Sequence, residues 1–242
     1  MYHPPTVIPE LGAQETEREE VKEHPREVHA AIADKPLYRD PVYDGAADPV
    51  VIWNGQAGKW FMYYTNRRAN VEGGNGVSWV HGTRIGIAVS ENGGASWQYL
   101  DTCDIPYRVI EEYTYWAPEV IRNQGIYHMY LTYLPGIFSD WGHPRWIVHL
   151  TSKDGISWKP ESKLSLASEK VLDACVINMP DGTWRMWYNN EADAKSMYYA
   201  DSPDLFTWTD RGKIMGFGRG EGRRSPKRIG MRNEEVPSRW RN

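Results

Sequence analysis

The sequence predicts an all-β fold built from repeated four-stranded blades, a β-propeller. Three observations carry this reading. Beyond residue 40, short apolar and aromatic runs are separated by Gly, Asn, Asp and Pro, the pattern of many short strands joined by turns. Three sequence landmarks then recur in one order, and each recurrence leaves room for four strands.

Residues 1–40 precede the repeat and are rich in Glu, Lys, Arg and Ala, including E-T-E-R-E-E-V-K-E-H, which reads as a solvated, charged arm. The blades occupy 41–222. Each opens with a β-branched run: D-P-V-V-I at 48, A-P-E-V-I at 117 and D-A-C-V-I at 173. A turn follows, then an aromatic-x-Met-aromatic strand at Trp60–Tyr63, Tyr127–Tyr130 and Trp184–Trp187. The third strands are R-I-G-I-A-V-S, W-I-V-H-L-T-S and S-M-Y-Y-A-D-S, each running into a turn that ends at Trp97, Trp158 or Trp208. In these turns an Asn or Asp is expected to accept backbone N–H groups and the Trp to pack between blades, with no catalytic part.

Composition narrows the function. The chain of 242 residues holds 12 Trp and 15 Tyr against 4 Phe, a bias toward rings with a polar edge that suits wet, sugar-stacking surfaces. A net charge of -4 offers no field for nucleic acid or an acidic membrane. Cys103 and Cys175 have neither metal nor redox spacing. The first residues lack the marks of a signal peptide, so the chain as written is expected to be cytoplasmic, or periplasmic or secreted if translation starts upstream.

The first strand of a propeller blade lines the central channel, so Asp48, Ala117 and Asp173 converge by the repeat. The next equivalent, 48 residues beyond Asp173, is Glu221 in G-R-G-E-G. Carboxylates facing one channel suit glycoside hydrolysis, in which a protonated carboxyl serves the leaving oxygen and an ionised one activates water. A third nearby raises the acid's pKa by like-charge repulsion. Asp before Pro can be a mere turn former, but Ala117 shows that the turn does not demand a carboxylate.

The A-D-P-V-V-I, Y-W-A-P-E-V-I and L-D-A-C-V-I runs and the closing G-E-G resemble the successive blade signatures of family 43 glycoside hydrolases and their five-bladed relatives in families 32, 62, 68 and 117. The resemblance spans roughly residues 41–222. It implies an inverting mechanism with Asp48 as general base, Asp173 as the group that tunes and orients the acid, Glu221 as general acid and Trp116 beside the sugar subsite. A calcium ion in the channel is implied by the resemblance alone; no cofactor is otherwise required. The motifs that mark a fructoside-cleaving relative are absent.

Further candidate sugar contacts are His81, in a Gly-rich insertion on the channel rim; Glu119, on the strand face of Ala117; Trp141 and Arg145 in S-D-W-G-H-P-R-W; and Asn190 in Y-N-N-E-A. Blade openings average about 58 residues apart, so five blades need roughly 300 residues. The chain therefore reads as three blades and the start of a fourth. Residues 223–242 form a basic tail without strand alternation, consistent with a frameshift or truncation after Gly222 or with an authentic tail. An open blade face predicts poor solubility or a homodimer. The expected function is hydrolysis of an arabinofuranoside, xyloside or related plant- or algal-type oligosaccharide. The alternatives are an inactive, sugar-binding fragment and a glycoside phosphorylase.

Overall fold

The computed structural model describes residues 35–70, 72, 74–108 and 112–215. Three antiparallel sheets follow one another, each a simple meander of four strands. Blade one comprises β1 (Ala47–Asn54), β2 (Lys59–Thr65), β3 (Ile85–Ser90) and β4 (Gln98–Thr102). Blade two comprises β5 (Thr114–Asn123), β6 (Ile126–Leu134), β7 (Trp146–Ser152) and β8 (Lys159–Lys163). Blade three comprises β9 (Val171–Asn178), β10 (Trp184–Asn190), β11 (Ser196–Ser202) and β12 (Thr209–Lys213). Every strand expected of blades one to three is present, and the fold is all-β and of incomplete-propeller type; the start of a fourth blade, expected at Glu221, lies outside the described residues.

Burial shows why these runs stack as blades. The first strand of blade two, β5, packs against both β1 and β9, so blade two is covered on both faces. Eight of the nine residues of β6 are buried accordingly, against two of the eight in β9. A single apolar cluster runs through all three sheets, from Phe61 and Tyr63 through Met129 and Leu150 to Val176 and Met186. The outer faces of the end blades are less covered. Val51 and Trp53 on β1, and Ile177 and Met197 on blade three, are each 41–50% exposed. Val176 packs inward, while Ile177, next along the strand, points to the uncovered side.

Residues 36–44 lie against the outer face of blade one. The Tyr38 and Tyr64 hydroxyls are 2.8 Å apart, and Tyr64 donates to Asp40 at 2.6 Å. Asp40 also accepts the N–H groups of Val42 and Tyr43, which makes it the organiser of this segment. The Trp-bearing turns behave as the sequence suggests. Asn92, Asp154 and Asp204 accept backbone N–H groups of their own turns. Trp158 meets Tyr63, and Trp208 meets Tyr130, edge-on across the two blade interfaces.

The blade openings share a feature that the sequence did not display. Pairing slips between Ala47 and Val50, between Trp116 and Glu119, and opposite Trp187 and Asn189, so each inner strand carries a two-residue bulge at one repeat position. The first bulged residue is Asp48, Ala117 or Asp173, with φ of 51°, 43° and 58°. Aspartate tolerates this left-handed region better than most residues. The bulge turns the backbone N–H toward the preceding blade: Ala117 donates to Thr65 Oγ1 at 2.9 Å and Asp173 to Thr132 Oγ1 at 3.3 Å. Among the described residues, no helix is long and apolar enough to cross a membrane.

Candidate functional site

The bulges project Asp48 and Asp173 into one cleft of about 200 Å³, walled by Val80, Trp116, Trp141 and Leu172 and completed by Arg67, Arg145, Glu191 and Lys195. That volume lies below the ~300–1,000 Å³ of sites for drug-sized ligands and suits about one sugar ring. Three carboxylates and three cations therefore meet there.

The two aspartates have different surroundings. Asp48 is half-exposed and pairs with Arg67 Nη2 at 3.3 Å. Asp173 accepts from Asn189 Nδ2 at 3.1 Å. Burial pushes the Asp173 carboxyl above the usual range; the Asn189 bond opposes this, and the charges of Asp48 and Glu191 add to it. Asp173 is thus more disposed to hold a proton than an ordinary solvated aspartate.

Arg145 is the keystone of the cleft wall. It is 1% exposed, yet pairs through Nη1 with Glu191 at 2.7 Å. It donates from Nη2 to the carbonyls of Trp141 and His143, and its guanidinium lies 5.6 Å from the centre of the Trp116 ring. The Trp116 indole N–H donates to the Val80 carbonyl at 2.6 Å. One cation thereby fixes the loop carrying Trp141 in blade two to the start of the 3₁₀ turn Glu191–Asp193 in blade three.

The other sequence candidates sit differently. His81 is wholly buried rather than on a rim, its ring 5.0 Å from that of Trp116 and 5.6 Å from that of Phe138. Burial, reinforced by Arg145, lowers its pKa to about 4, so the ring is neutral. Glu119 accepts the N–H of Val176 at 2.8 Å, tying blade two to blade three, and burial lifts its pKa to about 6. Asn190 is buried and accepts from Ala192 N and the Ser168 hydroxyl, capping the 3₁₀ turn instead of facing the cleft. Neither His81, Glu119 nor Asn190 lines the cleft. Glu221 and the tail lie outside the described residues. Among the described residues, no group of three or more His, Cys, Asp or Glu is placed to hold a metal ion by side chains alone.

Arg67 and Lys195 were not singled out as site residues from the sequence, although Arg67 was within reach; Glu191 lies in the Y-N-N-E-A run already offered as a sugar contact. Thr65, Thr132 and Asn189 are equivalent by the repeat, and two residues further stand Arg67, Leu134 and Glu191. Extending the comparison past the second strand would have found a cation and a carboxylate at matching positions.

No family model matches the chain. An uncharacterized protein of Mycobacterium tuberculosis (strain CDC 1551 / Oshkosh) is 27% identical over 168 residues, covering 64% of this chain and 52% of the relative. Among solved structures, Zg3597, a family 117 glycoside hydrolase of the marine bacterium Zobellia galactanivorans, matches with a TM-score of 0.53 and 13% identity, over 68% of this chain and 53% of that one. The Penicillium chrysogenum α-L-arabinanase complexed with arabinobiose matches at 0.53 and 14%, over 74% and 54%. A thermostable family-43 glycoside hydrolase matches at 0.50 and 19%, over 71% and 54%. The chain spans about half the length of these proteins. In fold the three blades are similar to about half of each of these propeller enzymes.

Proposed function

We propose that the cleft hydrolyses a glycosidic bond through paired carboxylates. The observation that carries this reading is the convergence of Asp48 and Asp173, from non-adjacent blades, beneath an aromatic wall. Asp48, beside Arg67 and open to solvent, acts as the base that takes a proton from water as its oxygen attacks the anomeric carbon. In keeping with the family resemblance, Glu221 is the acid that passes its proton to the leaving oxygen, and Asp173 tunes and orients it. Trp116 and Trp141 offer ring faces to the sugar. The likeness to an arabinanase and to a family 43 enzyme supports an arabinofuranoside or xyloside as substrate.

The test is hydrolysis of aryl arabinofuranosides, xylosides and galactosides by the full chain and by Asp48→Asn and Asp173→Asn variants. Cleavage with inverted product, lost in both variants, is expected. Cleavage that survives Asp48→Asn overturns the assignment. A second reading, a sugar-binding propeller without turnover, rests on the aromatic wall of Trp116 and Trp141. It is distinguished by saturable binding of the same sugars with no product.

A further inference from the structure

The cleft holds two cations that catalysis by paired carboxylates does not require. Arg145 is buried and its guanidinium is committed to Glu191 and two backbone carbonyls. Arg67 and Lys195 differ. Their side chains are 38% and 75% exposed, and each meets one carboxylate at more than 3 Å, Arg67 with Asp48 and Lys195 with Glu191. A guanidinium carries five N–H donors and an ammonium three, so most of the donor capacity of both is unused by protein.

The Arg67 cation is also held in place, its guanidinium 5.9 Å from the centre of the Trp79 ring. Lys195 follows Ala194 in a left-handed turn, φ 56° and 51°, which sets where its stem leaves the backbone. Three cations face three carboxylates in the cleft, and two of the cations are within reach of solvent. Exposed ion pairs exchange partners at little cost, so an incoming anion can take the outward N–H groups without dismantling the cleft.

We propose that Arg67 and Lys195 bind an anionic oxygen group, a carboxylate borne by the sugar or inorganic phosphate beside it. The inference rests on reading the cleft as a sugar site, but its readout is binding and needs no turnover. Guanidinium and ammonium donors serve carboxylate and phosphate alike, so the source of the anion is decided by experiment.

Calorimetric titration of the full chain would compare methyl galacturonoside, methyl galactoside and sodium phosphate at fixed ionic strength. Lys195→Ala, at an exposed position, and Arg67→Ala serve as variants, with thermal melts to establish that each folds. Binding of the uronoside at least tenfold tighter than of the neutral glycoside, lost tenfold or more in Lys195→Ala, identifies an acidic sugar. Phosphate binding with the same loss identifies phosphate. Binding of neither anion, or equal binding by both variants and the parent, overturns the proposal. Cleavage of neutral glycosides without anion binding would sink the anion site and leave the hydrolase reading standing; anion binding without cleavage would do the reverse.

Discussion

Replacing Arg145 by Met should lower folding stability by about 3 kcal/mol. The substitution keeps an apolar stem beside Trp116 and deletes a guanidinium that pairs with Glu191 and donates to two carbonyls of the Trp141 loop. Removing one partner of a buried pair costs roughly 3–5 kcal/mol because the other charge is left uncompensated. Here Glu191 keeps Lys195 at 3.1 Å and is itself 12% exposed, which places the loss at the lower end. For a domain of this size each kcal/mol moves Tm by about 2–4 °C, so a fall of about 6–12 °C is expected. Urea unfolding of the parent, Arg145→Met, Glu191→Gln and the double variant closes a cycle, and a coupling energy of about 2 kcal/mol should emerge. A loss in Arg145→Met below about 1 kcal/mol, or a coupling below about 0.5 kcal/mol, would refute the view that this pair joins blades two and three.

Glu119, with its pKa lifted to about 6 by burial, should make stability decline as pH rises from the ordinary carboxylate range through 6. The decline amounts to about 2 kcal/mol, and urea melts of Glu119→Gln at pH 4.5 and 7.5 should lack it, because the amide oxygen still accepts from Val176 without a charge. His149 runs opposite. Burial, helped by His128, lowers its pKa to about 4, so its contribution is full above pH 6.5 and lost as pH falls through 4, by about 3 kcal/mol. His149→Phe should flatten part of the acid limb of the stability curve, leaving the share owed to His81; an unchanged limb would contradict the assignment. Thr132→Val removes the acceptor of the Asp173 N–H and should cost about 1 kcal/mol, read as a Tm lower by about 2–4 °C.

The strands were legible because alternation and turn residues are local signals. Trp60-Phe61-Met62-Tyr63 and its two counterparts fall within strands of matching register, and their turns close as the Asn and Asp residues dictate. The exposure of Ile177 was not legible, for a non-local reason: whether the outer side of a strand is covered depends on a neighbouring sheet, not on the strand. His81 was hidden likewise. Its burial arises where the blade-one insertion meets a loop of blade two, with Val77 N–H donating to the Ser139 carbonyl at 3.0 Å, a contact 62 positions apart. Asp48 and Asp173 were legible through register alone. Arg145 appeared in the sequence as a loop cation fit to touch sugar, and only the fold shows it turned inward onto backbone carbonyls.

The bulge at each blade opening has a consequence for how such a scaffold acquires chemistry. Cohesion at these joints comes from a main-chain N–H meeting a threonine hydroxyl, and the side chain at the bulge takes no part in it. The position can therefore change identity without loosening the joint, as the alanine of blade two illustrates beside the aspartates of blades one and three. Each blade thus offers one socket aimed at the common cavity, filled or left blank independently of its neighbours, and the pattern of filled sockets can be rewritten while the architecture stays as it is.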